Sequence, residues 1–266
     1  MSDKNQIIHL EIKRKIGIIT FDNGELNVFN RDLIIAFRDL LKEIKSDPQK
    51  QRKIRVILIK SASQKAFSAG FDLKATEAAS EDVIKLFLVE GKKFIYDLTT
   101  IPTPTIALVN GYAIGIGFLI SLACDFRYCT EDAQFQLPEI IYEGMFPTHG
   151  ACTNLPKIVN KISDAKYLLM TGDRINAQTA EKMGIIDKIF TTKEEMIDAG
   201  IKLAKTMSTK NPLTMQLIKA ALNTCKDLNI KEGMAIETEA FEIIKNIHED
   251  KNVLKNKFIK KYLLKE

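Results

Sequence analysis

Tryptophan is absent from the 266-residue chain, and histidine occurs only as His9, His149 and His248. So few imidazoles exclude a metal centre built on several histidines. Cysteine is scarce as well. Cys124, Cys129, Cys152 and Cys225 in so long a chain make no disulfide framework, and no pair has zinc-finger spacing. Free cysteine is commonly a small core residue, whereas a nucleophilic thiolate needs a cation or helix N-terminus to lower its pKa. His149 and Cys152, three residues apart, keep the second possibility open.

The chain has no low-complexity tract, long linker or internal repeat, and neither charge sign dominates. Thirty-nine Lys and Arg against thirty-four Asp and Glu leave +5, which suits an anionic small ligand as well as nucleic acid. With 45% hydrophobic and 27% charged residues, a disordered, collagenous or coiled-coil protein is excluded. No aromatic–basic RNA motif is present, so nucleic acid is not an expected partner. MSDKNQIIHLEIKRK has no apolar core of signal-peptide length, and LLKE is not a peroxisomal address. The expectation is a reduced, cytoplasmic protein.

The longest uncharged run lies between Asp97 and Asp125, long enough to cross a bilayer on length alone. Its interior argues against a span. Pro102 and Pro104 block a helix start, and Asn110-Gly111 reads as a turn. The pattern predicts a buried strand Thr105–Val109, a glycine-lined turn, then a buried helix from about Gly117 to Cys124. No membrane partner is expected.

Elsewhere, Ile7–Ile12 and Ile16–Phe21 read as strands, with Asp22-Asn23-Gly24 as a turn. Asn30 is placed to cap a helix through Ile44, on which Leu33, Ile34, Phe37, Leu40, Leu41 and Ile44 recur at helical spacing. Arg55–Ile59 predicts a buried strand and Asp82–Leu98 an amphipathic helix. Beyond Lys157 the pattern is almost wholly helical, through 164–170, 177–183, 193–207, 212–228 and 230–248. Strands alternating with helices predict an α/β protein with a mostly parallel sheet. The expected division is a core over 1–200 and a helical region over 201–266.

Two strand-to-helix turns carry the chemistry. The first follows Ile57–Lys60 and reads SASQKAFSAGFDL; Ser68, Ala69 and Gly70 let backbone approach a ligand, and Asp72 is placed to cap the next helix. The second, Gly115-Ile116-Gly117, opens the buried helix, where the first amides have no internal acceptor and the dipole is positive. If the two faced one another, they would offer two backbone N–H donors to one oxygen, the arrangement that stabilises an oxyanion. Each alone is also an ordinary tight connection.

The strings AFSAGFDLK, NGYAIGIGFLISLACD, AQFQLPEI and LLMTGDRINAQTAEKMGIIDKIF, in this order and spacing, resemble the crotonase superfamily of enoyl-CoA hydratases and isomerases. The similarity runs from about residue 8 to 258. It implies a spiral of β-β-α repeats with a helical C-terminal trimerisation region, in place of an open doubly wound sheet. It also implies an acyl-CoA thioester substrate and a homotrimer or dimer of trimers. No separate cofactor is implied, since CoA is part of the substrate, and no metal.

By resemblance, the oxyanion hole maps onto the backbone amides of Ala69 and Ile116, the latter a glycine in many relatives. Ala66, Ser68, Asp72 and Leu73 would meet CoA, and the C-terminal Phe258 and Lys261 would lie near its phosphates. Hydratases of the superfamily use two glutamates. The first position here is Leu119, which transfers no proton; the second is Glu139. A lone carboxylate can still move a proton from C2 to C4 of an enoyl thioester. The expectation is therefore an enoyl-CoA isomerase with Glu139 as base, against hydration of an enoyl-CoA or dienoyl-CoA, or a non-catalytic acyl-CoA-binding or RNA-binding homologue. IIYEGMFPTHGACTNLPKI, about one residue longer than usual, adds Glu143 and His149 as alternative acid–base groups. Each is equally readable as a loop residue, Glu143 as a solvated charge.

Overall fold

The computed structural model of the protein describes residues 7–72, 81–143 and 145–246, without the side chains of 81–87 and 246. The expectations for Leu73, Phe258 and Lys261 lie outside the described residues.

β1 (Ile8–Lys13) and β2 (Ile16–Phe21) form an antiparallel hairpin. β2 then pairs in parallel with β3 (Val56–Ser61), and β3 with β5 (Thr105–Val109). β7 (Phe126–Thr130) and β10 (Lys188–Phe190) complete this six-stranded sheet. The three middle strands each lead through a turn into a short strand of a second sheet. β4 (Ala66–Ser68), β6 (Tyr112–Ile114) and β8 (Gln134–Gln136) pair in parallel there, and β9 (Ile175–Asn176) closes its edge. One strand to each sheet per turn of chain is the expected β-β-α spiral.

Helices fill the gaps. α1 (Arg31–Ser46) is capped by Asn30, whose side chain accepts from the Leu33 amide at 2.9 Å, and it buries Leu33, Ile34, Phe37, Leu41 and Ile44. α2 (Pro48–Lys53) is a short connector, and α3 (Glu81–Thr100) brings Phe94 to the α1 surface. Phe21, Phe29, Phe37, Phe67 and Phe94 interlock, with Phe21–Phe67 edge-on at 5.1 Å and Phe37–Phe94 at 4.8 Å. Such ring geometry adds to the area term because quadrupole edges meet faces.

The uncharged run is β5, β6 and α4 (Ile116–Ala123), every residue of α4 being buried. No helix among the described residues is long and apolar enough to cross a membrane. After α4 come α5 (Ala151–Ile158), α6 (Ile162–Thr171) and α7 (Ala177–Lys182).

The expected boundary at residue 200 falls inside α8 (Lys193–Ser208), which begins with a Thr192–Glu195 capping box. Met196 and Ala204 pack on Val56, Leu58, Ile106 and Leu108, so α8 belongs to the sheet core. The helical region that stands apart starts with α9 (Pro212–Cys225) and α10 (Ile230–Asn246), around Leu217, Ala220 and Ile243. Lys219 ties it to the core: its ammonium donates to Asp125 Oδ2 at 2.7 Å and the Thr103 carbonyl at 3.3 Å. Asp125 also accepts from the Thr105 amide at 2.8 Å. Breaking one side of a buried pair generally costs about 3–5 kcal/mol, because the other charge is stranded.

Candidate active site

The two glycine turns meet. Gly70, at φ 104°, lies so close to the second turn that a β-carbon there would stand 3.3 Å from the Ile114 carbonyl oxygen. A β-carbon on Gly117 would stand 2.6 Å from the Ser68 carbonyl oxygen. The end of β4 and the start of α4 therefore touch through backbone, a contact only glycine permits.

The third component enters from β8. The Gly115 amide donates to the Gln136 carbonyl at 2.9 Å, which fixes the end of β8 beside the α4 start. Pro138 then opens a 3-10 turn over Glu139–Ile141. It brings Glu139 to the same junction: a β-carbon on Gly115 would lie 3.8 Å from Glu139 Oε1 and 3.9 Å from the Gly70 Cα. Glu139 Oε2 is buried and has no hydrogen-bond partner among the described residues. Burial pushes the Glu139 carboxyl above its ordinary pKa, and a backbone hydrogen bond only partly opposes the shift.

Of the two amides expected to serve as donors, one is already engaged. The Ala69 N–H is engaged, donating to the Leu26 carbonyl at 2.9 Å, and the Gly70 N–H donates to Ser68 Oγ at 3.2 Å. Beyond them the chain lies along Phe29 as a short parallel ladder. The Phe29 amide donates to the Gly70 carbonyl at 2.8 Å and the Asp72 amide to the Phe29 carbonyl at 3.2 Å. In a parallel ladder the residue between two such bonds turns its own amide to the opposite side. Phe71, not Ala69, thus directs its N–H away from this ladder. The sequence offered one signal for this: Phe71 immediately follows the glycine whose positive φ reverses the chain.

The second expected donor stands as the first residue of α4. The Leu119 amide makes the first internal helical bond, to the Gly115 carbonyl at 3.0 Å, so the Ile116 N–H precedes any intrahelical acceptor. Leu119, buried, follows Gly115 by four residues and so shares its helix face.

Ala66 and Ser68 are fully enclosed, and the Ala66 carbonyl accepts from Ser61 Oγ at 2.7 Å. Both belong to β4, which ends at the junction of the two turns. Asp72 is half-buried beside Phe71. Glu143 is exposed, as a solvated loop charge would be. His149 is buried, at φ 52°, with Nδ1 2.6 Å from Thr148 Oγ1 and its ring 5.3 Å from that of Phe71. Burial pushes the Cys124 and Cys129 thiols up to about 12, which makes them core residues and not nucleophiles. Among the described residues, no group of three His, Cys, Asp or Glu side chains is placed to hold a metal ion.

Comparison with known proteins places the chain by sequence and by fold. The family model described as Enoyl-CoA hydratase/isomerase matches residues 11–262. A crotonyl-CoA hydratase of Syntrophomonas wolfei is 31% identical over 88% of this chain and 88% of its own. A carnitinyl-CoA dehydratase of Salmonella arizonae is 33% identical over 81% of this chain and 79% of its own. Among solved structures, an enoyl-CoA hydratase from Bacillus anthracis superposes with a TM-score of 0.84 at 27% identity, covering 94% of this chain and 93% of that one. Pseudomonas aeruginosa DspI does so with 0.83 at 25% identity, covering 93% and 98%. Fold and sequence agree over nearly the full length, and the chain belongs to the enoyl-CoA hydratase/isomerase family.

Proposed function

We propose that the protein is an enoyl-CoA isomerase that acts through a thioester enolate. The thioester oxygen would sit between the amides of Phe71 and Ile116, Phe71 taking the place first assigned to Ala69. Glu139 carboxylate removes a proton from C2 of a 3-enoyl thioester. The electron pair moves onto the thioester oxygen as a dienolate, held by the two amides. The same carboxyl returns the proton at C4, leaving a 2-enoyl thioester. Glu139 ends as it began, and no separate cofactor is consumed. Asp72, Leu73, Phe258 and Lys261 remain the proposed contacts to CoA.

The observation that carries this reading is the buried Glu139 carboxyl, the one carboxylate at the turn junction among the described residues, with Leu119 on the helix face where a second would stand. Hydration is the second reading, favoured by the activities for which the relatives are named, a crotonyl-CoA hydratase and a carnitinyl-CoA dehydratase. One pair of assays separates them. A 3-enoyl-CoA should be converted to the conjugated 2-enoyl thioester at least about tenfold faster than crotonyl-CoA is hydrated. Faster crotonyl-CoA hydration would refute the isomerase assignment and leave the enolate chemistry standing.

Self-association completes the proposal. Ile140, Ile141, Met145 and Phe146 are exposed beyond Glu139, and Met170 on α6 is 71% exposed. A β-carbon on Gly172, at the C-terminus of α6, would touch Ile140 and Ile141 at 2.9 and 2.8 Å, so these side chains adjoin. An apolar patch of this kind marks an interface. Sedimentation should give three or six times the 30.0 kDa chain mass. A monomer at micromolar concentration would contradict it.

A further inference from the structure

Two residues that break local preference meet at one point. Gly91 lies inside α3, where glycine weakens a helix relative to alanine. His149 holds a left-handed backbone at φ 52°, a conformation uncommon outside glycine. Neither is explained by its own segment. Together they are: a β-carbon on Gly91 would stand 2.7 Å from His149 Nε2, 2.8 Å from its Cδ2 and 3.4 Å from Phe71 Cζ. The helix lacks a side chain there because the imidazole fills the space. The backbone reversal at His149 aims the ring inward, to a position 8% exposed, where it meets the Phe71 ring at 5.3 Å and 57°. Thr148 Oγ1, 2.6 Å from Nδ1, fixes the ring plane.

Phe71 is the residue whose amide faces away from the Phe29 ladder. Its neighbour Gly70 lies 3.9 Å from the position of a β-carbon on Gly115, which is itself 3.8 Å from Glu139 Oε1. His149 therefore stands one ring away from the reacting junction, behind the donor.

We infer that His149 is a positioning residue. Wedged into the slot left by Gly91, it holds the Phe71 ring and so orients the Phe71 amide toward the thioester oxygen. Strain retained next to a site is a recurrent sign of such preorganisation. His149 then takes no part in proton transfer, and Glu139 remains the base. The inference rests on the enolate reading given above.

A double-mutant cycle tests it, read as exchange of C2 protons of butyryl-CoA in heavy water. His149→Ala removes the wedge, and kcat is expected to fall about tenfold or more, with KM changed less than about threefold, as for loss of an interaction made mainly in the transition state. Gly91→Ala in the wild-type background drives a methyl group into the imidazole and also lowers kcat. In the His149→Ala background the same methyl has room and reaches Phe71, so the double variant recovers part of the lost kcat, a coupling that independent sites do not show. Losses that simply multiply, or a His149→Ala variant with unchanged kcat, overturn the inference. A crystal structure of His149→Ala scores the geometry without activity: displacement of Phe71 supports the inference and an unmoved Phe71 refutes it. Wild-type protein that exchanges no C2 protons would instead refute the enolate reading, and the two failures are thereby distinct.

Discussion

Glu139→Gln is expected to lower turnover at least about a hundredfold while CoA thioester binding persists, because general-base transfer contributes on the order of 10²–10⁴ and glutamine accepts no proton. The same substitution is expected to raise Tm near neutral pH. Burial lifts the Glu139 carboxyl above its ordinary value of 4.5, so the folded protein disfavours the charged form. Between the unfolded and folded pKa values the native state holds a proton that the unfolded chain has released. Stability is therefore withdrawn as pH rises through that window, and the full deficit is present above the folded pKa. Glutamine removes it. Gain of stability with loss of activity is the signature of a residue retained for chemistry. For the wild type, kcat/KM should decline on the acid side with a midpoint above 4.5, reporting the free enzyme. Thermal melts and pH–rate profiles check both; a Glu139→Gln variant within tenfold of wild type would place the base elsewhere.

The second large effect is expected at a residue with no reactive group. Gly117→Ala would put a β-carbon 2.6 Å from the Ser68 carbonyl oxygen and 2.8 Å from the Ser68 Cβ. Both are parts of a fully buried segment, so neither can swing aside. The start of α4 must move off the end of β4, which separates the Ile116 amide from the Phe71 amide. Loss of one oxyanion donor reduces kcat by about 10²–10³, and overpacking of this kind costs about 1–3 kcal/mol in stability. Steady-state kinetics and thermal melts on the variant measure each. Activity within threefold of wild type would mean that close approach of the turns is not needed for catalysis.

Much of this was legible in the sequence because the signals are local. Asn30 and the spacing of Leu33, Phe37, Leu41 and Ile44 announce α1. Pro104, Asn110 and Gly115 divide the uncharged run where β5, the turn and α4 divide it. Glu139 and Ile116 came from motifs and lie at the junction of the turns. What escaped depends on contacts distant in the chain. β4, β6 and β8 have three residues each, too few to show alternation, so the second sheet came only from the resemblance. The resemblance points to Ala69, and what engages its amide is a bond to Leu26, more than forty residues away. The break at residue 200 follows the change to an almost wholly helical pattern, whereas the apolar stripe of α8 continues onto the sheet. Gly91 gave no signal at all, since its reason is a histidine in another segment.

The most direct measurement is proton exchange at C2 of a saturated thioester, butyryl-CoA in heavy water, followed by nuclear magnetic resonance. It needs neither a double bond nor water addition, and so isolates enolate formation at Glu139. Wild-type protein should incorporate deuterium at C2, and Glu139→Gln should slow this at least about a hundredfold. No incorporation by the wild type, or equal incorporation by the variant, would contradict the assignment.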